Sequence, residues 1–81
     1  MEKNKDYAAA IESANKQAEA SALKMGESSW YEDFRVVKSD WVKNGKNRTY
    51  YEMHGYSNGN LQKKYKVGYV NNLTGEFVKQ W

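Results

Sequence analysis

The apolar positions of this chain follow two different periods, and the change between them falls near residue 28. Over the first third, apolar residues recur three or four positions apart, which places them on one stripe of a helix. The stripe consists of Tyr7, Ile11, Ala14, Ala18, Ala22 and Met25. From Trp30 onward, apolar residues instead alternate with polar ones, as in strands that bury one face. The pattern therefore predicts one helix followed by a sheet.

The predicted helix spans residues 4–25. Alanine, the best helix former, is its most frequent residue. Asn4 or Asp6 can cap the first turn by accepting a backbone N–H, and Gly26 can end the helix in a left-handed conformation. Because the middle of the stripe is small, we expect the helix to lie close to its partner surface, which must supply the large side chains.

Four strands are predicted after the helix, at residues 30–42, 48–56, 61–70 and 77–81. The turns between them fall at residues 44–45, 57–60 and 71–75, which are rich in Asn and Gly, the residues that tolerate positive φ. The apolar parity of the first strand changes near Val36 and Val37, which predicts a bulge or a bend there. Consecutive strands joined by short turns are typical of an antiparallel meander.

The predicted fold class is α+β, with one domain over residues 1–81. A long N-terminal helix is expected to pack on one face of a 3–4-stranded antiparallel β-meander. The residues expected on the covered face are Phe34, Tyr51, Met53, Tyr65, Val67, Tyr69 and Phe77. The hairpin at residues 65–77 is central to this arrangement. Strict alternation there places Tyr65, Val67 and Tyr69 under the helix, and Lys64, Lys66 and Val70 on the opposite face.

The composition assigns different characters to the two parts of the chain. Twelve residues are aromatic, and only Tyr7 precedes residue 30. The net charge of +3 also arises entirely after residue 25, because the four Lys and four acidic residues before that point cancel. The chain therefore has a neutral, alanine-rich front and a basic, aromatic back.

Several chemistries lack the residues that they need. The sequence has no cysteine and one histidine, so it carries no zinc pattern, disulfide framework or thiol nucleophile. Glu32 and Asp33 are neighbours, so on a strand they would point to opposite faces and could not act on one bond. His54 lies on a predicted strand with no matched nucleophile. We therefore predict a protein that is not an enzyme and has no catalytic residues, cofactor or metal.

The chain is also predicted to be cytoplasmic and not to contact a membrane. No apolar run approaches the roughly 18 residues of a membrane span. The N-terminal residues lack the apolar segment of a signal peptide. The absence of cysteine is compatible with a reducing compartment.

The most informative feature is the face of the sheet that a single helix would leave uncovered. Alternate residues of the predicted strands point toward this face, and many of them are basic or aromatic. Tyr31 is expected to join them from the first strand. The candidate partner-binding residues are Arg35, Trp41, Arg48, Tyr50, His54, Tyr56, Lys64 and Lys66. Three interpretations stay open: a solvated surface, a protein-binding surface, or a nucleic-acid surface on which aromatic rings stack bases and cations bind phosphates.

Two stretches also resemble known proteins. Residues 45–51, GKNRTYY, and residues 68–78, GYVNNLTGEFV, look like small uncharacterised proteins of bacterial phages and mobile elements. Those proteins end in a similar aromatic hairpin closed by Asn-x-x-Thr-Gly. This resemblance implies no catalytic residues. The helix followed by the hairpin is also similar to PepSY and cystatin-like α+β modules, which implies an inhibitory or protein-binding role.

The functional prediction is a small non-enzymatic protein-binding module, of the inhibitor or modulator kind that a phage or mobile element directs at a host protein. The alternative is a nucleic-acid-binding protein that uses the basic and aromatic open face. Self-association is a further prediction, through the uncovered face or by edge pairing of the last strand at residues 77–81.

Overall fold

The computed structural model describes residues 7–80 and contains one helix and four strands. Helix α1 spans Tyr7–Glu27, and the strands are β1 (Asp33–Lys43), β2 (Lys46–Ser57), β3 (Asn60–Asn71) and β4 (Glu76–Lys79). The sheet has the order β1-β2-β3-β4 with every pair antiparallel, and α1 packs against it. This confirms the α+β class. The predicted caps Asn4 and Asp6, and Trp81 at the end of the predicted fourth strand, lie outside the described residues.

The apolar stripe of α1 forms the contact between the two layers. Ala14, Ala18 and Ala22 are buried against Tyr51, Met53, Val67 and Val70 of the sheet, with Phe34, Tyr65 and Phe77 at the edge of this core. The predicted close approach of the helix is therefore confirmed. Tyr7, the first residue of the stripe, is exposed.

Gly26 permits a close approach of α1 to Phe34 of β1, and the prediction that it ends the helix in a left-handed conformation is wrong. It lies inside α1, is buried, and is not among the residues with positive φ. A Cβ at this position would overlap the Phe34 ring. The helix instead ends with two serines whose hydroxyls bond the last carbonyls, Ser28 to Lys24 at 3.0 Å and Ser29 to Gly26 at 2.6 Å.

The three predicted turns are confirmed. Asn44 and Gly45 have φ of 53° and 78°, and Asn58 and Gly59 have φ of 56° and 76°. Two consecutive residues with positive φ are typical of the two-residue turns whose twist matches that of a hairpin. Gly75 closes the third turn with φ of 81°, and a Cβ there would lie 2.6 Å from the Ala10 Cβ of the helix.

Strand β1 pairs with β2 in an unbroken register, so the bulge that was one of the two alternatives predicted near Val36 and Val37 is absent. Its register against β2 runs without a shift from Asp33 opposite Tyr56 to Lys43 opposite Lys46. The change of apolar parity has another cause. Val36 packs at the edge of the core, whereas Val37 lies on the opposite face across from Glu52.

The segment before β1 departs from the predicted strand. The strand begins at Asp33 rather than at residue 30, and Trp30 is 82% exposed. Tyr31 was expected on the uncovered face, but it lies on the helix side. A Cβ at Gly55 would lie 2.5 Å from its ring, and its hydroxyl is 2.9 Å from that of Tyr65. Because Gly55 has no side chain, the ring of Tyr31 has room to pack on the helix side of the sheet.

Two bulges in β3 overturn the predicted facing of that strand. The register against β2 shifts twice, leaving Val67 and Gln62 as extra residues. After the first shift Tyr69 lies opposite Tyr50 on the uncovered face, and Val70, opposite Thr49, is fully buried. The predictions for these two residues were therefore wrong, because one extra residue inverts the alternation.

The second bulge has the same effect at the start of β3. Strict alternation from Tyr65 would place Leu61 on the covered face, but Leu61 lies opposite Tyr56 and is 44% exposed. Tyr65 and Val67 do belong to the covered face as predicted, and Lys64 and Lys66 to the opposite one.

Tyr51 joins the sheet to the helix by a partly buried hydrogen bond. Its hydroxyl donates to Oδ1 of Asn15 at 2.6 Å, and Nδ2 of Asn15 donates to the Ile11 carbonyl at 2.8 Å. Burial raises the pKa of Tyr51 above its ordinary 10.0, and the carboxylates of Glu19 and Asp40 act in the same direction. The fold thus favours the neutral phenol. That contribution to stability is fully present below pH 10.0 and is lost as the pH rises through the folded-state pKa.

Tyr51→Phe is expected to lower the free energy of unfolding by about 0.5–1.5 kcal/mol at neutral pH, because the bond to Asn15 is lost. The difference from wild type should shrink at alkaline pH, since the variant has no phenol to ionise. Urea denaturation at pH 7 and again above the tyrosine pKa measures both effects, with the exposed Tyr7→Phe as the control. A difference that stays constant between the two pH values would contradict the assignment.

Candidate functional site

The helix leaves one face of the sheet uncovered, and we call this the outer face. Alternation in β2 assigns it unambiguously, because Thr49, Tyr51 and Met53 are buried toward the helix and their neighbours point the other way. Residues of β1 and β3 that lie directly opposite an outward-facing residue of β2 also belong to the outer face. The strand register brings onto this one face all of the predicted candidates, Arg35, Trp41, Arg48, Tyr50, His54, Tyr56, Lys64 and Lys66.

Three rings and one guanidinium group contact one another near the β1–β2 turn. We call Trp41, Arg48, Tyr50 and Tyr69 the aromatic cluster. Trp41 meets Tyr50 edge to face at 6.4 Å between ring centroids, and Tyr50 meets Tyr69 at 5.3 Å. Tyr69 was not predicted as a member, because the bulge that turns it outward was not foreseen. Gly68 beside it was the available signal, since glycine inside a strand often marks a bulge.

Arg48 holds the aromatic cluster together. Its Nη1 donates to the Tyr50 hydroxyl at 3.0 Å, and its Cζ lies 4.3 Å from the Tyr69 ring centroid and 6.0 Å from that of Trp41. The hydrogen bond to Tyr50 raises the pKa of Arg48 further above its ordinary value. The cluster therefore presents a permanent positive charge among three rings, with the guanidinium plane already oriented.

A chain of polar side chains supports the aromatic cluster from the helix side. The buried Thr49 donates through Oγ1 to Oδ1 of Asp40 at 3.0 Å. Asn72 donates through Nδ2 to Thr49 at 2.7 Å and to Asn47 at 3.2 Å. These bonds connect β1, β2 and the β3–β4 turn beneath the cluster, so the strands that carry its side chains are fixed relative to one another.

The other predicted residues gather at the opposite end of the outer face. We call Arg35, Glu52, His54, Tyr56, Lys64 and Lys66 the charged end. His54 Nε2 lies 2.8 Å from Glu52 Oε1, while Lys64 and Lys66 stand opposite His54 and Glu52 on β3. Arg35 covers the ring of Tyr56 at 5.2 Å. The face expected to mix aromatic and basic residues is thus sorted into two ends.

An open depression of about 430 Å³ lies between the two ends. Its lining residues are Ser39, Asp40, Trp41, Tyr50, Tyr51, Glu52, Lys66 and Gln80, most of which belong to the outer face. One wall is therefore aromatic, and the other carries an acidic and a basic side chain. A cleft of this kind can accept an apolar side chain and bond its polar neighbours.

Two kinds of feature are absent from the described residues. Between residues 7 and 80, no three His, Asp or Glu side chains are grouped so that they could hold a metal ion. In the same part of the chain, no helix combines the length and the apolar character needed to cross a membrane.

Comparison of the chain with models of known families, with curated proteins and with solved structures found no significant match. The resemblance to phage and mobile-element proteins and to PepSY and cystatin-like modules therefore stays a prediction from the sequence.

Proposed function

We propose that this chain is a non-enzymatic binding module that recognises a protein partner through the outer face of its sheet. The observation that carries the proposal is the aromatic cluster, in which three rings and an arginine pack together on a face that α1 does not cover. Aromatic residues and arginine are the types that dominate the energetics of protein interfaces.

The internal contacts of the cluster favour tight binding. Arg48 is held by a hydrogen bond to Tyr50 and by the ring of Tyr69 before any partner arrives. Ordering a flexible side chain on association costs free energy, and a side chain that is already ordered avoids that cost.

The surroundings of the cluster also have the layout of an interface. The depression beside Trp41 and Tyr50 offers a socket for a partner side chain, and the charged end supplies a polar rim. In protein interfaces an apolar, aromatic centre is commonly surrounded by polar residues that exclude water or bond to the partner.

An inhibitor or modulator role fits such a module. A chain of this size whose outer face meets a partner can block or alter that partner without chemistry of its own. The narrower proposal, that a phage or mobile element encodes it and directs it at a host protein, rests on the resemblance of residues 45–51 and 68–78 alone.

Arg48→Ala tests the proposal because it removes the centre of the cluster without touching the core. We expect binding to any partner captured by the wild-type chain to weaken at least about tenfold, since central arginines are frequent hot spots. Affinity purification from a bacterial lysate, followed by titration of the purified partner against wild type and variant, measures the change.

The matched control is Lys63→Ala, a basic residue of β3 outside the outer face, whose ammonium group covers the Tyr65 ring on the helix side. It should leave the affinity unchanged. A partner that binds both variants as tightly as the wild type would place the interface elsewhere and refute the role of the cluster.

Nucleic acid is the second candidate, because Arg35, Arg48, Lys64 and Lys66 all face outward on one sheet surface. The ring geometry favours protein, however. One face of Tyr69 is taken by Arg48, and Trp41 meets Tyr50 edge to face, so fewer free ring faces remain for base stacking. Fluorescence anisotropy with labelled single-stranded DNA and RNA decides between them. Binding that weakens steeply with salt would support nucleic acid, and no binding at low salt would exclude it.

A further inference from the structure

Strand β1 forms one edge of the sheet and is accessible along much of its length. It pairs with β2 on one side, and no other described strand pairs with its second side. From Lys38 to Lys43 every residue is exposed, so the helix does not cover this half of the strand. An exposed edge of this kind is a template for pairing with another strand.

The turn at Asn44 and Gly45 defines which backbone groups face that edge. Lys43 and Lys46 flank this two-residue turn, so they form a hydrogen-bonded pair directed at each other. Odd-numbered residues of β1 therefore bond to β2, and even-numbered residues direct N–H and C=O outward. Phe34 fits this phase, because its N–H bonds Oδ1 of its neighbour Asp33 at 2.8 Å.

The sequence of this edge strand is complementary to a second copy of itself that runs in the opposite direction. Residues 36–42 read Val-Val-Lys-Ser-Asp-Trp-Val, so Ser39 is flanked by a positive and a negative residue, and then by two apolar residues on each side. Antiparallel pairing of two identical strands about Ser39 would place unlike charges opposite each other and apolar residues opposite apolar ones.

We propose that two copies of the chain form a two-fold symmetric dimer by antiparallel pairing of β1 with β1, with Ser39 opposite Ser39. Lys38 then faces Asp40 of the second copy, and Asp40 faces its Lys38. On the helix side Val36 meets Val42, and on the outer face Val37 meets Trp41. Val42 is 71% exposed and Trp41 39% exposed in the single chain, and the pairing covers both.

The charges select this register against its neighbours. The backbone phase requires even-numbered residues to pair with even-numbered ones, so the pairing can shift only by two residues. The adjacent registers place Lys38 opposite Lys38 or Asp40 opposite Asp40, and like charges directly opposite are destabilising. A lysine on an edge strand usually discourages pairing. Here Lys38 instead favours one register of pairing, because Asp40 lies two positions later and faces it in the second copy.

The dimer goes beyond the proposed function and does not depend on it. The two-fold axis would be perpendicular to the sheet, so both helices lie on one side and the two outer faces join. Each Trp41, and with it each aromatic cluster, would then border Val37 of the second copy. The paired sheet would present two copies of the candidate site on one continuous surface.

Sedimentation equilibrium and light scattering test the proposal on the purified chain. We expect twice the mass of 9.4 kDa at high concentration, with a dissociation constant on the order of micromolar, because a single edge contact is small. Lys38→Glu and Asp40→Lys should each weaken the dimer at least about tenfold. Their equimolar mixture should restore it, because every 38–40 pair is then again opposite in charge.

Cross-linking provides a test that leaves Lys38 and Asp40 in place. In the proposed dimer the two Ser39 residues are directly opposite each other but are not joined by backbone hydrogen bonds. The Cα atoms of such an antiparallel pair lie about 4.5 Å apart, close enough for a disulfide. Ser39→Cys should therefore give a covalent dimer under mild oxidation far faster than Ser28→Cys at the exposed end of α1. The chain has no other cysteine.

Three results would overturn the proposal. One is a wild-type chain that stays monomeric at roughly 500 µM, well above the range expected for weak specific contacts. Another is a dimer that neither charge variant weakens, and the third is equal cross-linking of Ser39→Cys and Ser28→Cys. Circular dichroism on each variant shows whether it retains the fold. If Asp40→Lys fails to fold because the Thr49 hydroxyl loses its acceptor, the cross-linking result decides.

Discussion

Gly68→Ala is expected to lower the free energy of unfolding by about 3 kcal/mol, because the bulge in β3 has no space for a side chain. A Cβ there would overlap the carbonyl oxygen of Val78 and lie 2.9 Å from Cε1 of Phe77 and 3.1 Å from Cα of Lys79. Two of these three atoms belong to the backbone of β4, which cannot move without loss of strand pairing. The φ of 157° is also one that residues with a side chain rarely adopt.

Gly59→Ala is the matched control, because it also alters a glycine with positive φ but meets nothing within 4 Å. Its cost should be about 1–2 kcal/mol, from the conformation alone. Guanidinium denaturation followed by circular dichroism measures both variants. Equal losses would show that conformation dominates at both sites and that the approach of β4 to Gly68 contributes nothing.

Ala18→Leu is expected to cost about 2–3 kcal/mol, because the helix lies too close to the sheet for a larger side chain. Ala18 has no exposed surface, and Ala14 and Ala22 on either side are also buried against the sheet. Leucine has nearly the helix propensity of alanine, so the loss would come from packing rather than from the helix itself.

Ala20→Leu separates these two causes, since Ala20 lies on the exposed side of the same helix. It should change the free energy of unfolding by less than about 0.5 kcal/mol. Thermal and urea denaturation of both variants provides the comparison. If Ala18→Leu were neutral, the helix would have to be free to move away from the sheet.

The parts of the fold that depend on neighbouring residues were predictable from the sequence. The two Asn-Gly turns have the right conformation because both residue types tolerate positive φ. In β2, strict alternation gives the right face for every residue from Arg48 to Tyr56, because this strand has no extra residue. The alanine stripe predicted the close packing of helix and sheet for the same local reason.

The predictions of side-chain facing failed where one extra residue in a strand reverses the face of the residues that follow it. Counting by two through β3 assigns Tyr69 to the covered face and Val70 to the outer one. The extra residue Val67 reverses both. The prediction for Gly26 failed for a related reason, because its role depends on a residue distant in sequence. Its sequence position suits a helix end, and only the approach of Phe34 from β1 shows why a side chain is excluded there.

The candidate site was predictable as a set of residues but not as an arrangement. All eight predicted residues do share the outer face. Their division into an aromatic cluster and a charged end depends on cross-strand register, which alternation within single strands cannot supply. Tyr69 shows the limit most clearly, because it reaches the cluster only through the bulge beside it.

The consecutive order of the four strands also has a consequence for how the chain folds. Each strand pairs with its neighbour in sequence across a short turn, so the sheet can close one hairpin at a time with little loss of loop entropy. Hairpins form in roughly 1–10 µs. Helix α1 must instead make contacts between residues far apart in sequence, such as that of its Ala10 with Gly75 of the β3–β4 turn. We therefore expect the sheet to form first and the helix to dock last, which makes the Ala14–Ala22 seam the first part of the molecule to open.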